Sequence, residues 1–340
     1  MRYPEFLKEQ GIIGFVAPSF GCATEPYASA FANARAHFEK RGYGVRLGPN
    51  CLLDKGIGIS NKPQLCAREL NDCYGDSDSD VLISCGGGEL MCEILPYMDF
   101  EAIAKAKPKW FLGYSDNTNF TFLSTTLCDT AAMYGPCAAA FGMEPWHESL
   151  QDAFDLLCGK TIRIHNYDKW ELESIKDETH PLEPYHLTEP TYIRTFPEGE
   201  AVLEGRLLGG CMDCLVNLTG TEFDHVRKFT DRYQEDGIIW FLEACDLGVM
   251  GIRRALWQMR HAGWFSHVKG FLIGRPYCFG QEMFGLDQYQ AVTELLKEFD
   301  VPIVMDLDIG HRAPMMTMVS GAYAKVHAGN NSFTLEYEWR

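Results

Sequence analysis

The sequence is most informative first in what it lacks. No stretch of about 18 apolar residues occurs in the 340, so no membrane-spanning helix is expected. The first ten residues have no apolar core of the kind a secretion signal carries, which makes a cytoplasmic location the expectation. Cations are scarce: 30 Lys and Arg against 47 Asp and Glu give a formal net charge of −17. Such a balance argues against a nucleic-acid surface, because phosphate binding needs clustered basic residues. No internal repeat and no low-complexity run is present. A glycine signature of the G-x-G-x-x-G type is also missing, which argues against a dinucleotide fingerprint.

Cysteine, by contrast, is plentiful. Thirteen is an odd number at scattered spacings, and without a secretion signal these read as reduced thiols. The one close pair, Cys211-x-x-Cys214, has no second pair at zinc-site spacing, so both are read as small core residues and no metal is expected. Hydrophobic residues at 46% and charged residues at 23% are ordinary for a globular protein of two domains.

Short apolar runs alternate with helical patterns through the first half. Strands are expected at residues 11–18, 43–47, 80–85 and 110–113, with helices at 25–41, 63–73, 89–98 and 117–129. That alternation predicts a doubly wound parallel sheet over residues 1–158. Residues 159–197 carry Trp170, many acids and several prolines with little periodicity, and read as a connecting segment. Residues 198–340 form a smaller, strand-rich α/β domain, with apolar strands at 237–243, 270–274 and 301–306, and antiparallel strands at 317–326 and 332–337.

The stretch from Lys109 to Thr118 carries the chemistry. Trp110-Phe-Leu112 is a strand end, Gly113 allows a sharp turn, and Asp116, Asn117 and Thr118 offer capping oxygens to a helix. Ser115 between them is placed as in a nucleophile elbow, with backbone N–H groups near to hold an oxyanion. Taken alone, the same pattern is also that of a capped helix start. A serine nucleophile needs a base, and the base an orienting carboxylate. Glu243 ends an apolar strand, and His311 follows another through a glycine and precedes Pro314, so these are the candidate partners. Gly86-Gly-Gly88 after a strand is either an oxyanion-binding turn or a plain tight turn. Asn117 replaces the last glycine of a G-x-S-x-G elbow, which lowers the α/β-hydrolase alternative.

Together the motifs resemble the LD-carboxypeptidase family, serine peptidase family S66, on its microcin C immunity-like branch. The resemblance spans most of the chain: Val16-Ala-Pro-Ser19, Gly87-Gly88 with Leu95-Pro-Tyr-Met-Asp99, Gly113-Tyr-Ser-Asp116, Tyr134-Gly-Pro136, Glu204-Gly-Arg-Leu-Leu-Gly-Gly210, Phe241-Leu-Glu243 and Gly310-His-Arg-Ala-Pro314. It implies a catalytic triad of Ser115, Glu243 and His311, and an oxyanion hole from the backbone of Gly87, Gly88 and Asp116. It implies no metal and no cofactor, and a homodimer. The implied reaction is hydrolysis of an amide next to a C-terminal residue, in murein tetrapeptide or in a peptidyl or aminoacyl nucleotide. Trp170 is a candidate for nucleotide contact or a packed aromatic. Arg206, Arg275 and Arg312 are candidate cations for a substrate carboxylate. The chain departs from the family pattern at Cys211-Met-Asp-Cys214, where Asn and Ser are frequent. A non-catalytic two-domain protein that binds a small molecule is the alternative from another class.

Overall fold

The computed structural model describes all 340 residues, which divide into two compact units: residues 1–161 with 173–186, and residues 162–172 with 187–340. The segment expected as a connector, 159–197, is thus shared out between them. The reason is hydrogen bonding: residues 163–165 and 194–196 lack apolar periodicity because they are edge strands, held by pairing more than by burial.

In the first unit, β1 (Ile12–Val16), β2 (Gly44–Leu47), β3 (Val81–Ser84), β4 (Trp110–Leu112) and β5 (Ala132–Tyr134) stand in the order β2-β1-β3-β4-β5. Every pairing among them is parallel. β3 and β4 are buried at every position, as a sheet covered on both faces requires. Helices α1 (Tyr27–Lys40), α2 (Pro63–Gly75), α3 (Phe100–Lys105), α4 (Thr118–Cys128) and α5 (Glu148–Leu157) complete the unit. Helix α2 starts on Pro63, whose missing N–H costs nothing in the first turn, and buries Cys66, Ala67, Leu70 and Tyr74 on one face. That face joins Val16, Leu82, Phe111 and Phe120 in one core cluster. The strand order reverses between β1 and β3, and in such sheets the crevice outside the carboxyl ends at the reversal is where ligands sit. The loop with Ser19 leaves β1, the triple glycine leaves β3, and Ser115 leaves β4. Residues 89–98, expected as an α-helix, form a 3-10 segment, Met91–Tyr97, with Pro96 inside it.

The second unit is built on eight strands in the order β6-β16-β15-β10-β11-β12-β13-β9. These are β6 (Arg163–His165), β9 (Arg194–Phe196), β10 (Ala201–Cys211), β11 (Ile238–Glu243), β12 (Val268–Gly274), β13 (Ile303–Leu307), β15 (Tyr323–Gly329) and β16 (Ser332–Glu338). The two-residue strands β7 (Lys169–Trp170) and β8 (Glu189–Pro190) pair with each other, and β14 (Met318–Ser320) is a short strand before the last hairpin. Strands β10 to β13 are parallel, and the outer pairings are antiparallel. Helices α6 (Met212–Leu218), α7 (Val226–Arg232), α8 (Val249–His261) and α9 (Gln288–Leu296) accompany the parallel strands. Strand β11 is buried from Ile238 to Glu243, and Trp240 stacks on Trp264 at 5.9 Å between ring centres. Glu243 therefore sits at the carboxyl end of a wholly buried strand, beside the ends of β10 and β12.

Candidate active site

Ser115 is partly exposed and takes φ = 63°, a left-handed conformation uncommon for a residue with a side chain. The bend of the turn lies on the serine itself and not on Gly113, which was expected to supply it. Gly113 is required for another reason: a Cβ there would meet Ser84 Cβ and Asn117 Cγ, each at 3.0 Å. Backbone outliers of this kind gather at functional sites, where the surroundings hold them in place.

Several groups hold this one. The Ser115 N–H donates to the Tyr134 hydroxyl at 3.2 Å. Asn117 donates through Nδ2 to the carbonyls of Gly86 at 2.8 Å and Tyr114 at 3.0 Å, tying the glycine turn to the serine turn. The two approach closely, since a Cβ on Gly87 would lie 2.9 Å from Ser115 Cβ and 3.0 Å from its Oγ. Gly88 backs onto Ser19 and the Gly58 carbonyl. The first unit thus brings Ser115, Gly87, Gly88 and Asp116 to one place.

The expected side-chain capping of α4 is absent: Asn117, at the cap, makes no such bond. The Asp116 carboxylate is drawn elsewhere, accepting from Ser19 Oγ at 2.5 Å, Met91 N at 2.8 Å and Asn119 Nδ2 at 3.0 Å. Burial pushes the Asp116 carboxyl up, while the hydrogen bonds from Ser19 and Met91 pull the other way. One aspartate thereby ties the loop after β1 and the segment after β3 to the serine turn. Sequence reading missed this role of Ser19 and of Tyr134, although both lie inside motifs that carried the resemblance.

In the second unit the Glu243 side chain is wholly buried, and Oε2 accepts from His311 Nδ1 at 2.9 Å. An ionised carboxylate can only accept, so the proton on that nitrogen belongs to the ring. Gly310 makes the approach possible. Its φ is 104°, and a Cβ there would come within 2.7 Å of Glu243 Cγ and Cδ. Gly274, at the end of β12, is needed for similar space, with Glu243 Cβ at 3.1 Å from the position of its missing Cβ. Burial disfavours the His311 cation, but the Glu243 charge and hydrogen bonds with Cys245 and Glu243 outweigh it. The imidazole is held well above its ordinary 6.5.

Cys245 reaches His311 because the turn after β11 is pinned by Asp213. Its Oδ2 accepts from Cys245 N at 3.1 Å, and its Oδ1 from Asp246 N at 2.9 Å and Leu247 N at 3.1 Å. Nothing in the spacing of the sequence marked Asp213, beyond its place between Cys211 and Cys214.

The substrate-binding candidates fare differently. Arg206 is buried at the middle of β10, paired with Asp236, under the Tyr233 ring at 4.0 Å and donating to the Gly321 carbonyl at 2.7 Å. It stands opposite Ile238, at the far end of β11 from Glu243. Arg275 is 1% exposed, paired with Asp308 and donating to the Asp306 carbonyl at 2.7 Å. Both are committed to holding the second unit together and are corrected from substrate ligands to structural cations. Trp170 is buried, packs edge-on against Phe279 at 5.0 Å and donates to the Pro190 carbonyl at 3.2 Å. Arg312, next to His311, is partly exposed, lies over the Tyr277 ring at 4.3 Å and donates to the carbonyls of Leu172 and Tyr277. It is the one cation of the three beside the histidine.

Comparison with known proteins decides the family. The LD-carboxypeptidase N-terminal domain matches residues 13–135, and the LD-carboxypeptidase C-terminal domain matches residues 204–326. The chain belongs to the LD-carboxypeptidase family. As a family member its reaction class is that of a peptidase. A Vibrio cholerae protein provisionally named a carboxypeptidase is 27% identical over 344 residues, covering 100% of this chain and 99% of its own. The microcin C7 self-immunity protein MccF of Escherichia coli is 25% identical over 280 residues, 80% of this chain and 78% of its own. Among solved structures, MccF in complex with aspartyl sulfamoyl adenosine superposes with a TM-score of 0.81 at 23% identity, covering 99% of this chain and 98% of that one. An MccF-like protein from Bacillus anthracis reaches 0.84 at 22% identity, over 99% and 100%. At such identities these structures speak for a shared two-domain fold.

Proposed function

We propose that this LD-carboxypeptidase-family chain is a serine carboxypeptidase with Ser115, His311 and Glu243 as its triad. The observation that carries the reading is the wholly buried Glu243 carboxylate on His311 Nδ1 at 2.9 Å. A buried carboxylate needs such a partner, and this one fixes the ring and its tautomer. With Nδ1 committed, Nε2 is the nitrogen to accept the Ser115 proton as Oγ attacks the carbonyl carbon. The tetrahedral oxyanion is received by backbone N–H groups of the Gly87-Gly88 turn and Asp116. His311 then returns the proton to the leaving amine, which departs as the C-terminal residue. Water attacks the acyl-serine by the same route in reverse order, and Glu243 stabilises the imidazolium in both steps.

The substrate carries an anionic or polar oxygen group beside the scissile bond, a carboxylate in a peptide or a phosphate in a nucleotide, and Arg312 is the side chain proposed to meet it. It is either murein tetrapeptide, cut at an L,D-bond, or a peptidyl or aminoacyl nucleotide of the kind that MccF has been solved with. Trp170 gives the nucleotide no support, since its ring is packed. The enzyme is proposed to act in the cytoplasm as a homodimer without metal or cofactor. Assaying tetrapeptide and an aminoacyl adenylate analogue side by side, with Ser115→Ala as the blank, tests the proposal. Cleavage of one, lost in the variant, supports it and selects the substrate. Cleavage of neither, or turnover that survives in Ser115→Ala, contradicts it.

A further inference from the structure

The pair Cys211 and Cys214 is not used by the mechanism above, yet it stands beside the Glu243–His311 pair. Cys211 is the last residue of β10 and lies opposite Glu243 in the parallel register. It is 2% exposed, whereas Cys214, one turn into α6, is partly exposed. Neither is in a disulfide, and their side chains hydrogen-bond to each other. Residues three apart at a helix start have Cβ atoms about 5–6 Å apart. A disulfide needs Cβ atoms about 3.5–4.5 Å apart, so closure requires the end of β10 at Cys211 to move toward α6. The Cys211 thiol donates to Asp213 Oδ2 at 3.3 Å, the same oxygen that receives the Cys245 N–H.

We propose that Cys211 and Cys214 form a reversible dithiol–disulfide site for small-molecule disulfides, and that Asp213 relays its state to Glu243 and His311. Exchange begins at the accessible sulfur. The Cys214 thiolate attacks one sulfur of the disulfide RSSR, forming a Cys214–S–SR bond and expelling RS⁻. Cys211 then attacks the Cys214 sulfur, its proton leaving through the Asp213 carboxylate to solvent. A second RS⁻ departs, so two thiols are oxidised and one disulfide is reduced. The Cys211 thiol is held far above its ordinary value by the hydrogen bond with Cys214, then by burial and by the charge of Glu243. It therefore stays protonated until the mixed disulfide is there to attack. Closure removes the S–H from Asp213 and draws the end of β10 toward α6, altering the grip of Asp213 on the turn that carries Cys245 to His311.

The consequence for catalysis rests on the proposed triad, but the chemistry does not, and the test separates them. The folded protein is incubated with oxidised glutathione and mapped by mass spectrometry after digestion. Expected is a Cys211–Cys214 link, two hydrogens lighter and reversed by dithiothreitol. Cys211→Ser should accumulate a glutathione adduct at Cys214, and Cys214→Ser should leave Cys211 unmodified. An adduct at Cys214 that never closes in the native chain, or a link made through Cys245 instead, overturns the site. The relay is read without substrate, from the titration midpoint of the His311 imidazole by NMR. A midpoint that differs between reduced and oxidised protein, and not in Cys214→Ser, supports it; an identical midpoint overturns it. Absence of hydrolysis by the reduced protein would count against the carboxypeptidase and leave both readouts intact.

Discussion

Ser115 carries a proposed nucleophile's role and an observed left-handed backbone, and substitution can separate them. The left-handed conformation costs a residue with a Cβ about 1–2 kcal/mol. Ser115→Gly is therefore expected to be more stable than Ser115→Ala by about 1 kcal/mol, read by denaturant unfolding, although both should be inactive. His311 sets the pH dependence. Its folded pKa lies well above the ordinary 6.5, so it stabilises the fold below that value, and the contribution fades as pH rises through the folded pKa. The proposed catalysis needs the opposite state, because only neutral imidazole accepts a serine proton. The acid limb of kcat/KM is expected to rise with a midpoint above 6.5, so that activity grows where the histidine's contribution to stability declines. Glu243→Gln should move that midpoint down and lower kcat by about 10⁴-fold, as loss of the orienting carboxylate does in other triads.

At the scale of the element, the proposed catalytic residues stand at strand ends within each unit. β1, β3 and β4 deliver Ser19, the glycine turn and Ser115, while β11 and β13 deliver Glu243 and the turn to His311. The glycines are placed where the backbone must come close. Gly310→Ala would add a Cβ against the Glu243 side chain at a φ of 104°, and about 1–3 kcal/mol of stability should be lost with the activity. Thermal unfolding and a hydrolysis assay on one preparation would check both. These strand ends were legible in the sequence because buried parallel strands are short apolar runs with a polar residue at the end, as in Ile238–Glu243. What hid was long-range hydrogen bonding. Asp213 clamps a turn more than 30 residues away, and Asp116 bonds Ser19 and Met91 rather than capping its own helix. Spacing along the chain has no record of such pairings. The arginines misled for the same reason: a guanidinium near a motif reads as a ligand until its carboxylate partner, Asp236 or Asp308, comes from elsewhere in the chain.

For the whole molecule, the family match, the two-unit fold and the acidic charge set the frame. A net charge of −17 makes self-repulsion a general cost of compactness, which salt screens over a Debye length of about 10 Å at 0.1 M. The midpoint of thermal unfolding at pH 7 should rise on going from low to moderate sodium chloride; a fall would place the dominant electrostatics in attractive pairs. The central proposal is a triad of Ser115, Glu243 and His311, and labelling by an active-site fluorophosphonate tests it most directly. The account predicts one phosphonyl adduct per chain, on Ser115, absent from Ser115→Ala and strongly slowed in His311→Ala and Glu243→Gln. No adduct on the folded native protein, or labelling of Ser115 at the same rate without His311, would contradict it.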